Sequence, residues 1–533
     1  ETYGSRAGNL MDAFTNEQDW KDQVAYVDQL SKITKADIVA FANKYLQDNY
    51  VVIYKRKGED KNIVKVEKPA ITPVETNSTQ QSAFVKMVND MPATPVKPVW
   101  IDYNKDIQKG SLGGARVLAV QNKDNSIFRL RYRYDIGTWN DKKLAVAAQY
   151  LSFLGTDKKS TEDITKEFYK IACSFNINAG PEYTTVMIEG LQENFTKAVA
   201  LFEDLLANCK ADEKALTSLK ARIAKSRVDG KANKGAIMSG LTAYARFGAN
   251  NPYNYTLSDN DLAGITSAEL LSKLHSLNNY SHQVLYYGPQ TLPALTASLK
   301  TLHKVPATFT AAPAKATFKP ETQTANKVLF ADYNMVQAET RWVRNNGLYN
   351  PDQTTVADVF NNYFGGGMGA VVFQTIRESK ALAYSTFAFY VTPEKKEDPF
   401  YTMAYVGSQA DKFNEAVAAM NELLTTLPEI KSNFEFAKSS LKKDIETQRI
   451  VQDGIIFNFL DAEQKGLKED IRIKKYAAVD KVTFADLKAF HANNLSGKPY
   501  TYAIVASEAK LKPEDLQKTG EFKKLTLEQI FGY

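Results

Sequence analysis

Arg377 and Tyr384 stand seven residues apart in Tyr363-Phe-Gly-Gly-Gly-Met-Gly-Ala-Val-Val-Phe-Gln-Thr-Ile-Arg-Glu-Ser-Lys-Ala-Leu-Ala-Tyr-Ser385. A guanidinium and a phenol both donate hydrogen bonds. The other reactive residues do not converge. His275, His282, His303 and His491 are scattered, and His275 and His282 run from a helix into a turn, which argues against a shared metal. His491 is expected at a helix end, where an imidazolium suits the dipole. Cys173 and Cys209 have no nearby His in sequence, so free thiols are expected, with a bridge between them as the alternative. The glycine run could cradle a phosphate. It lacks the Lys-Ser/Thr of a P-loop and the spacing of a dinucleotide fingerprint. No Gly-x-Ser-x-Gly elbow occurs.

The elements around the pair are legible. Gly365, Gly366 and Gly367 permit a sharp turn into a helix, and Val371, Phe373, Ile376 and Leu382 supply apolar anchors. A helix reaching Tyr384 would put Arg377 and Tyr384 on one face. A helix ending near Ala381 would move Tyr384 onto the next strand. The plain alternative is a helix with a surface Arg and a half-buried Tyr.

The glycine turn, the Arg-bearing helix and the Leu-Ala-Tyr ending resemble the C-terminal half of insulinase/pitrilysin (M16) zinc peptidases. The resemblance implies that Arg377 and Tyr384 are substrate-binding residues that contact bound peptide. Ala381 departs from the pattern, standing where Gly is common.

The chain also repeats itself. Ile33 to Tyr54, Ile265 to Tyr287 and Val482 to Val505 each read as a helix opening at Thr34, Thr266 or Thr483, with an acid three residues later, then an apolar strand. Where that acid is Asp rather than Glu, the reciprocal capping bond is less assured. Separations of over two hundred residues suit whole domains. Domain openings repeat as well. Alternating strands at Ile127 to Gly137 and Glu339 to Gly347 are followed by helical stretches at Leu144 to Leu154 and Val356 to Phe364, and further helices are expected at Phe413 to Leu427 and Phe434 to Arg449.

The fold class is therefore α+β, with repeated two-layer domains of antiparallel sheet packed with helices. The expected division is 1–58, the tail of a truncated upstream domain; 59–104, a tether between halves; 105–290, a metal-free third domain; 291–326, a linker; and 327–533, a fourth domain carrying Arg377 and Tyr384. Lys68 to Thr79 and Met91 to Pro98 are rich in Pro, Ser and Thr, around an amphipathic stretch from Phe84 to Met91. Prolines also mark Lys304 to Ala325.

Catalytic zinc needs about three protein ligands and an open position. The family writes its His-x-x-Glu-His before a Phe-Leu-Gly-Thr-like stretch. Here Phe153-Leu-Gly-Thr156 is preceded by Val146, Ala147, Ala148, Gln149 and Tyr150, with no ligand among them, and the downstream acid falls near Ser226. No metal or catalytic residue is expected in this chain. The resemblance places zinc in an N-terminal half of the same protein and implies that this half closes a chamber over a peptide substrate. The alternative is a structural or partner subunit without peptidase activity.

Composition fits. The 533 residues are 44% hydrophobic, with 67 basic and 61 acidic side chains and a net charge of +6. No run of about eighteen apolar residues suggests a membrane span. No basic cluster with interleaved aromatics suggests nucleic acid. Arg129, Arg131 and Arg133 alternate along one strand face, which is expected to be solvated or else to line a peptide groove. Lys-rich, Cys-poor composition together with the family resemblance leans towards a bacterial periplasmic or secreted protein. The sequence leaves oligomeric state open.

Overall fold

The computed structural model describes residues 3–56, 58, 82–92 and 94–533, in two compact units divided after Pro92. The stretch Lys68 to Thr79 lies outside the described residues. The first unit contains α1 (Tyr3–Thr15), α2 (Trp20–Ser31), α3 (Lys35–Tyr45) and α4 (Ala83–Asp90). In α3 the side chains of Ile38, Val39 and Phe41 are exposed, as are all five residues from Tyr50 to Tyr54, which form no strand.

The second unit holds two similar lobes. The first has strands β1 (Gln108–Leu112), β2 (Ala115–Gln121), β3 (Ile127–Tyr134), β4 (Cys173–Ala179), β5 (Thr184–Leu191) and β6 (His282–Gly288), ordered β1-β2-β6-β3-β5-β4. Its helices are α5 (Leu144–Leu151), α6 (Thr161–Lys170), α7 (Phe195–Asn208), α8 (Glu213–Lys231), α9 (Lys234–Phe247), α10 (Asp259–Gly264), α11 (Ser267–His275) and α12 (Leu292–Leu302). Strand β3 shows why one face is core. Phe128, Leu130, Tyr132 and Tyr134 are fully buried, while the three arginines alternate on the other face.

The second lobe repeats the plan with β7 (Lys327–Asp332), β8 (Gln337–Leu348), β9 (Ala383–Val391), β10 (Pro399–Gln409), β11 (Thr501–Ala506) and β12 (Glu521–Lys524), ordered β12-β7-β11-β8-β10-β9. Its main helices are α13 (Thr354–Phe364), α14 (Phe413–Thr425), α15 (Lys431–Thr447), α16 (Gly454–Gln464), α17 (Ile471–Val479) and α18 (Phe484–Asn494). Neither sheet is wholly antiparallel. β2 pairs β6 in parallel, and β7 pairs both β11 and β12 in parallel. Long helical crossovers separate β2 from β6 and β7 from β11, and such connections allow parallel neighbours.

All three capping boxes form. Asp37 and Asp486 each accept their Thr N–H at 2.8 Å, and Glu269 does so at 3.2 Å, so the shorter Asp closes the box as well as Glu does.

The lobes exchange helices. Ile237, Met238 and Leu241 of α9, from the first lobe, pack on Leu329, Val343, Ala503 and Val505 of the second sheet. Ile456, Phe459 and Leu460 of α16, from the second lobe, pack on Leu118, Val120, Leu285 and Tyr287 of the first. Burying one lobe's apolar helix on the other's sheet couples the two lobes through the hydrophobic effect. The segment entering this unit joins in. Asp470, fully buried, accepts from Ile101 N–H at 3.2 Å and pairs with Arg472, which donates to Val99 O at 3.1 Å. Within 291–326, α12 places Leu295 and Leu299 in the first core, and 304–326 runs on with only an isolated bridge at Thr310.

Candidate functional site

The helix after the glycine turn is short and wide. Residues 371–379 are helical, and Phe373–Ser379 form a π turn in which Lys380 N–H donates to Thr375 O at 3.0 Å. Such turns are rare and often lie at functional sites. The helix stops before Ala381, whose φ is +49°, so Tyr384 falls on β9, an edge strand of the second sheet. The corner still brings the pair together. The Arg377 guanidinium carbon lies 4.7 Å from the centroid of the Tyr384 ring and 4.7 Å from that of Phe373. Its Nε is 3.5 Å from Glu378 Oε1. Tyr384 is 79% exposed and the Arg377 side chain 34%. Val371, Ile376 and Leu382 are buried anchors, whereas Phe373 stays half-buried beneath the guanidinium. Cation–π contact on two rings restricts a long side chain that would otherwise sample many rotamers.

The glycines position this corner. A Cβ on Gly365 would lie 1.6 Å from Ala388 O, so only Gly lets the chain cross β9 there. Gly367 has φ +108°, a conformation that other residues resist. Just before them, Asn361 donates to Tyr390 O at 3.0 Å and accepts from Tyr390 N–H at 2.8 Å, closing that stretch of the strand edge. Met368 at the loop tip and Phe436 on α15 are both exposed.

Comparison with known proteins bears on the fold. Residues 287–441 match the family profile described as "Peptidase M16 inactive domain", and residues 142–246 match "Insulinase (Peptidase family M16)". Over these two stretches the chain is similar to M16 peptidases. An uncharacterized zinc protease of Bacillus subtilis, YmxG, is 24% identical over 320 residues, covering 56% of this chain and 73% of that protein. Two solved structures share the fold. One is a peptidase M16 inactive domain from Pseudomonas fluorescens, 17% identical with a TM-score of 0.60, covering 76% of this chain and all of that one. The other is the periplasmic protease PqqL from Escherichia coli, 12% identical with a TM-score of 0.60, covering 95% of this chain and 58% of that protein.

At the positions that the resemblance assigns to the metal motif, this chain has mostly core. Val146, Ala147, Ala148 and Tyr150 of α5 are buried, and Tyr150 donates its hydroxyl to Asp212 O at 2.8 Å. Gln149 and Ser226 point to solvent. These side chains do not fit a zinc ion, and among the described residues no group of three or more His, Cys, Asp or Glu converges on a metal position.

The arginine row on β3 is neither simply solvated nor free to line a groove. Asp453, next to the start of α16, pairs with both Arg129 (3.0 Å) and Arg131, and Arg133 stacks on Tyr183 at 3.6 Å. The histidines find partners far away in sequence. His275 Nε2 is 3.4 Å from Cys209 Sγ, and His282 meets His303 at 2.9 Å. Cys173 and Cys209 are free and buried, and burial raises the Cys209 thiol to about 11. His491 differs from expectation. It is buried, desolvation lowers its pKa, and its Nε2 lies 3.0 Å from Leu423 O, so it sits as a neutral donor. Burial outweighs the helix dipole there because a charged imidazole would lose its water.

Sequence reasoning assigned Phe373 to the core and missed Asp453 altogether. Phe373 precedes Arg377 by four residues, a spacing that places both on one helix face and could have flagged the contact. Asp453 has no comparable local signal.

Proposed function

We propose that this chain is the non-metal-binding C-terminal half of a zinc endopeptidase, in which Arg377 and Tyr384 contact the peptide substrate. Zinc would belong to an N-terminal half of the same protein, and no ligand set for it is assigned to these lobes. The pairing of Arg377 with the exposed Tyr384 at an edge-strand corner carries this reading. Both side chains carry donors, and a peptide carbonyl or the oxyanion it develops accepts such bonds. The assigned metal-motif positions hold no zinc-ligand side chain, which supports a role in binding and enclosing substrate.

The first unit supports the split arrangement. In both lobes the strand after the repeated helix, β6 or β11, lies between two neighbours. The matching residues Tyr50 to Tyr54 are exposed and unpaired among the described residues. The remainder of that domain would supply their neighbours. The likeness to a periplasmic protease supports an extracytoplasmic setting.

The test is cleavage of a quenched unstructured peptide by this chain mixed with a separately expressed upstream half, each half alone serving as control. Activity confined to the mixture is the expected result. A mixture that associates yet cleaves nothing sinks the peptidase reading and leaves a structural subunit.

A further inference from the structure

Four side chains in the first lobe form a buried polar row that the proposed activity does not use. His282 Nδ1 lies 2.8 Å from Tyr280 O, and His282 Nε2 lies 2.9 Å from His303 Nε2. His303 Nδ1 lies 2.7 Å from Glu203 Oε1, and Asn278 Nδ2 donates to Glu203 Oε2 at 3.0 Å. Both imidazoles are at most 3% exposed. The Tyr132 ring stacks on His303 at 4.0 Å, Phe309 packs against His282 at 5.5 Å, and the Tyr134 hydroxyl donates to Asn278 Oδ1.

Proton counting decides what this row requires. Tyr280 O only accepts, so His282 Nδ1 carries a hydrogen. One imidazole must then donate across the His282–His303 contact, and one more hydrogen must lie between His303 and Glu203. Two neutral imidazoles and a carboxylate are one hydrogen short of filling these three contacts. The full row holds one extra proton, either as an imidazolium beside a carboxylate or as an imidazole beside a carboxylic acid. Its net charge is then zero. Without that proton a negative charge is left buried with an unmade hydrogen bond, which is costly.

The row joins three parts of the lobe: Glu203 from α7, His282 at the start of β6, and His303 at the end of α12, where segment 304–326 begins. The titratable groups facing it are Glu203, His282, His303, Tyr132 and Tyr134. Burial holds both tyrosines neutral by raising them well above the usual phenol range, and holds His282 at about 4, so the row resists a second proton near neutral pH.

We propose that Glu203, His303 and His282 form a one-proton clamp that fastens α12 and the start of the inter-lobe segment to the first sheet only while it holds that proton.

Glu203→Gln separates the proton from the hydrogen bonds. The Gln amide can donate to His303 Nδ1 and still accept from Asn278, so the row is complete without any titrating proton. The intact chain and this variant would be compared by thermal unfolding and by amide exchange over residues 292–310, from about pH 6 to about pH 10. The expected result is a Tm that falls with rising pH by about 2–4 °C more in the wild type than in the variant. Exchange at 292–310, corrected for its intrinsic pH dependence, should rise in the wild type relative to the rest of the first lobe. Parallel Tm profiles would overturn the proposal. If the variant does not fold, wild-type exchange at 292–310 that fails to rise relative to the lobe overturns it equally.

Discussion

The two lobes turn the same corner with different side chains. In the first, α6 runs through Ala172, at φ +48°, into edge strand β4. In the second, the π turn runs through Ala381, at φ +49°, into edge strand β9. Four residues before and three after each alanine, two side chains meet across the bend. In the first lobe they are Phe168 and Phe175, with ring centroids 5.0 Å apart and Phe168 in the core. In the second they are a partly exposed Arg377 and an exposed Tyr384, the guanidinium carbon 4.7 Å from the ring centroid. The backbone supplies one geometry, and residue type decides whether it closes a core or presents donors to solvent.

The preceding segments differ in the same sense. α6 starts with a complete capping box, Ser160 with Asp163, whereas the π turn has no side-chain cap and follows a glycine loop. A capped, buried helix is fixed by its own hydrogen bonds. The second lobe's helix depends on Val371 and Ile376 packing beneath it and on Gly365 crossing β9.

The contrast can be broken at either corner. Phe168→Ala should destabilise the unit by about 3–5 kcal/mol, through lost burial and a cavity, as measured by urea unfolding. A loss well under 1 kcal/mol would mean that the first corner is not structural. Arg377→Ala should leave stability nearly unchanged, yet lower kcat/KM of the reconstituted peptidase roughly 10²–10³-fold, or about 2.7–4 kcal/mol of transition-state stabilisation. Unchanged kcat/KM would reduce Arg377 to a surface residue like any other.

The lobes should also share an acid weakness. His282 in the first lobe and His491 in the second have folded pKa values depressed by burial, the former to about 4. The unfolded chain therefore binds protons first, near the usual imidazole value of about 6.5. Their contribution to stability is full above that value and falls as pH drops towards about 4, by roughly 3 kcal/mol for His282 alone. Stability curves of wild type and His282→Asn should diverge in that window, and curves that stay parallel would remove His282 as the cause.

The smallest effect tests the shared bend. Ala172→Gly and Ala381→Gly each relieve a left-handed alanine at the cost of backbone entropy, so each should stabilise by about 0.5 kcal/mol. Similar gains in both lobes, with peptidase activity altered only by Ala381→Gly, would sharpen the division between a structural and a substrate-facing corner.

Local patterns made much of this legible. Alternation in Ile127 to Tyr134 marked β3, threonines with an acid three residues later marked the three capping boxes, and the glycine run marked the turn beside Arg377 and Tyr384. These features arise from interactions within a few residues, so the sequence by itself determined the capped helices, the α+β class and the absence of zinc-ligand side chains at Val146 to Tyr150. Long-range packing decided the rest. Which sheet α9 and α16 cover, that Asp453 holds Arg129 and Arg131, and that His303 reaches back to Glu203 depend on residues about one hundred or more positions apart. The bend at Ala381 belongs to both levels. Its place between helix and strand was written locally, but the contact of Arg377 with Tyr384 exists only because Gly365, Val371 and Ile376 hold the turn against the sheet.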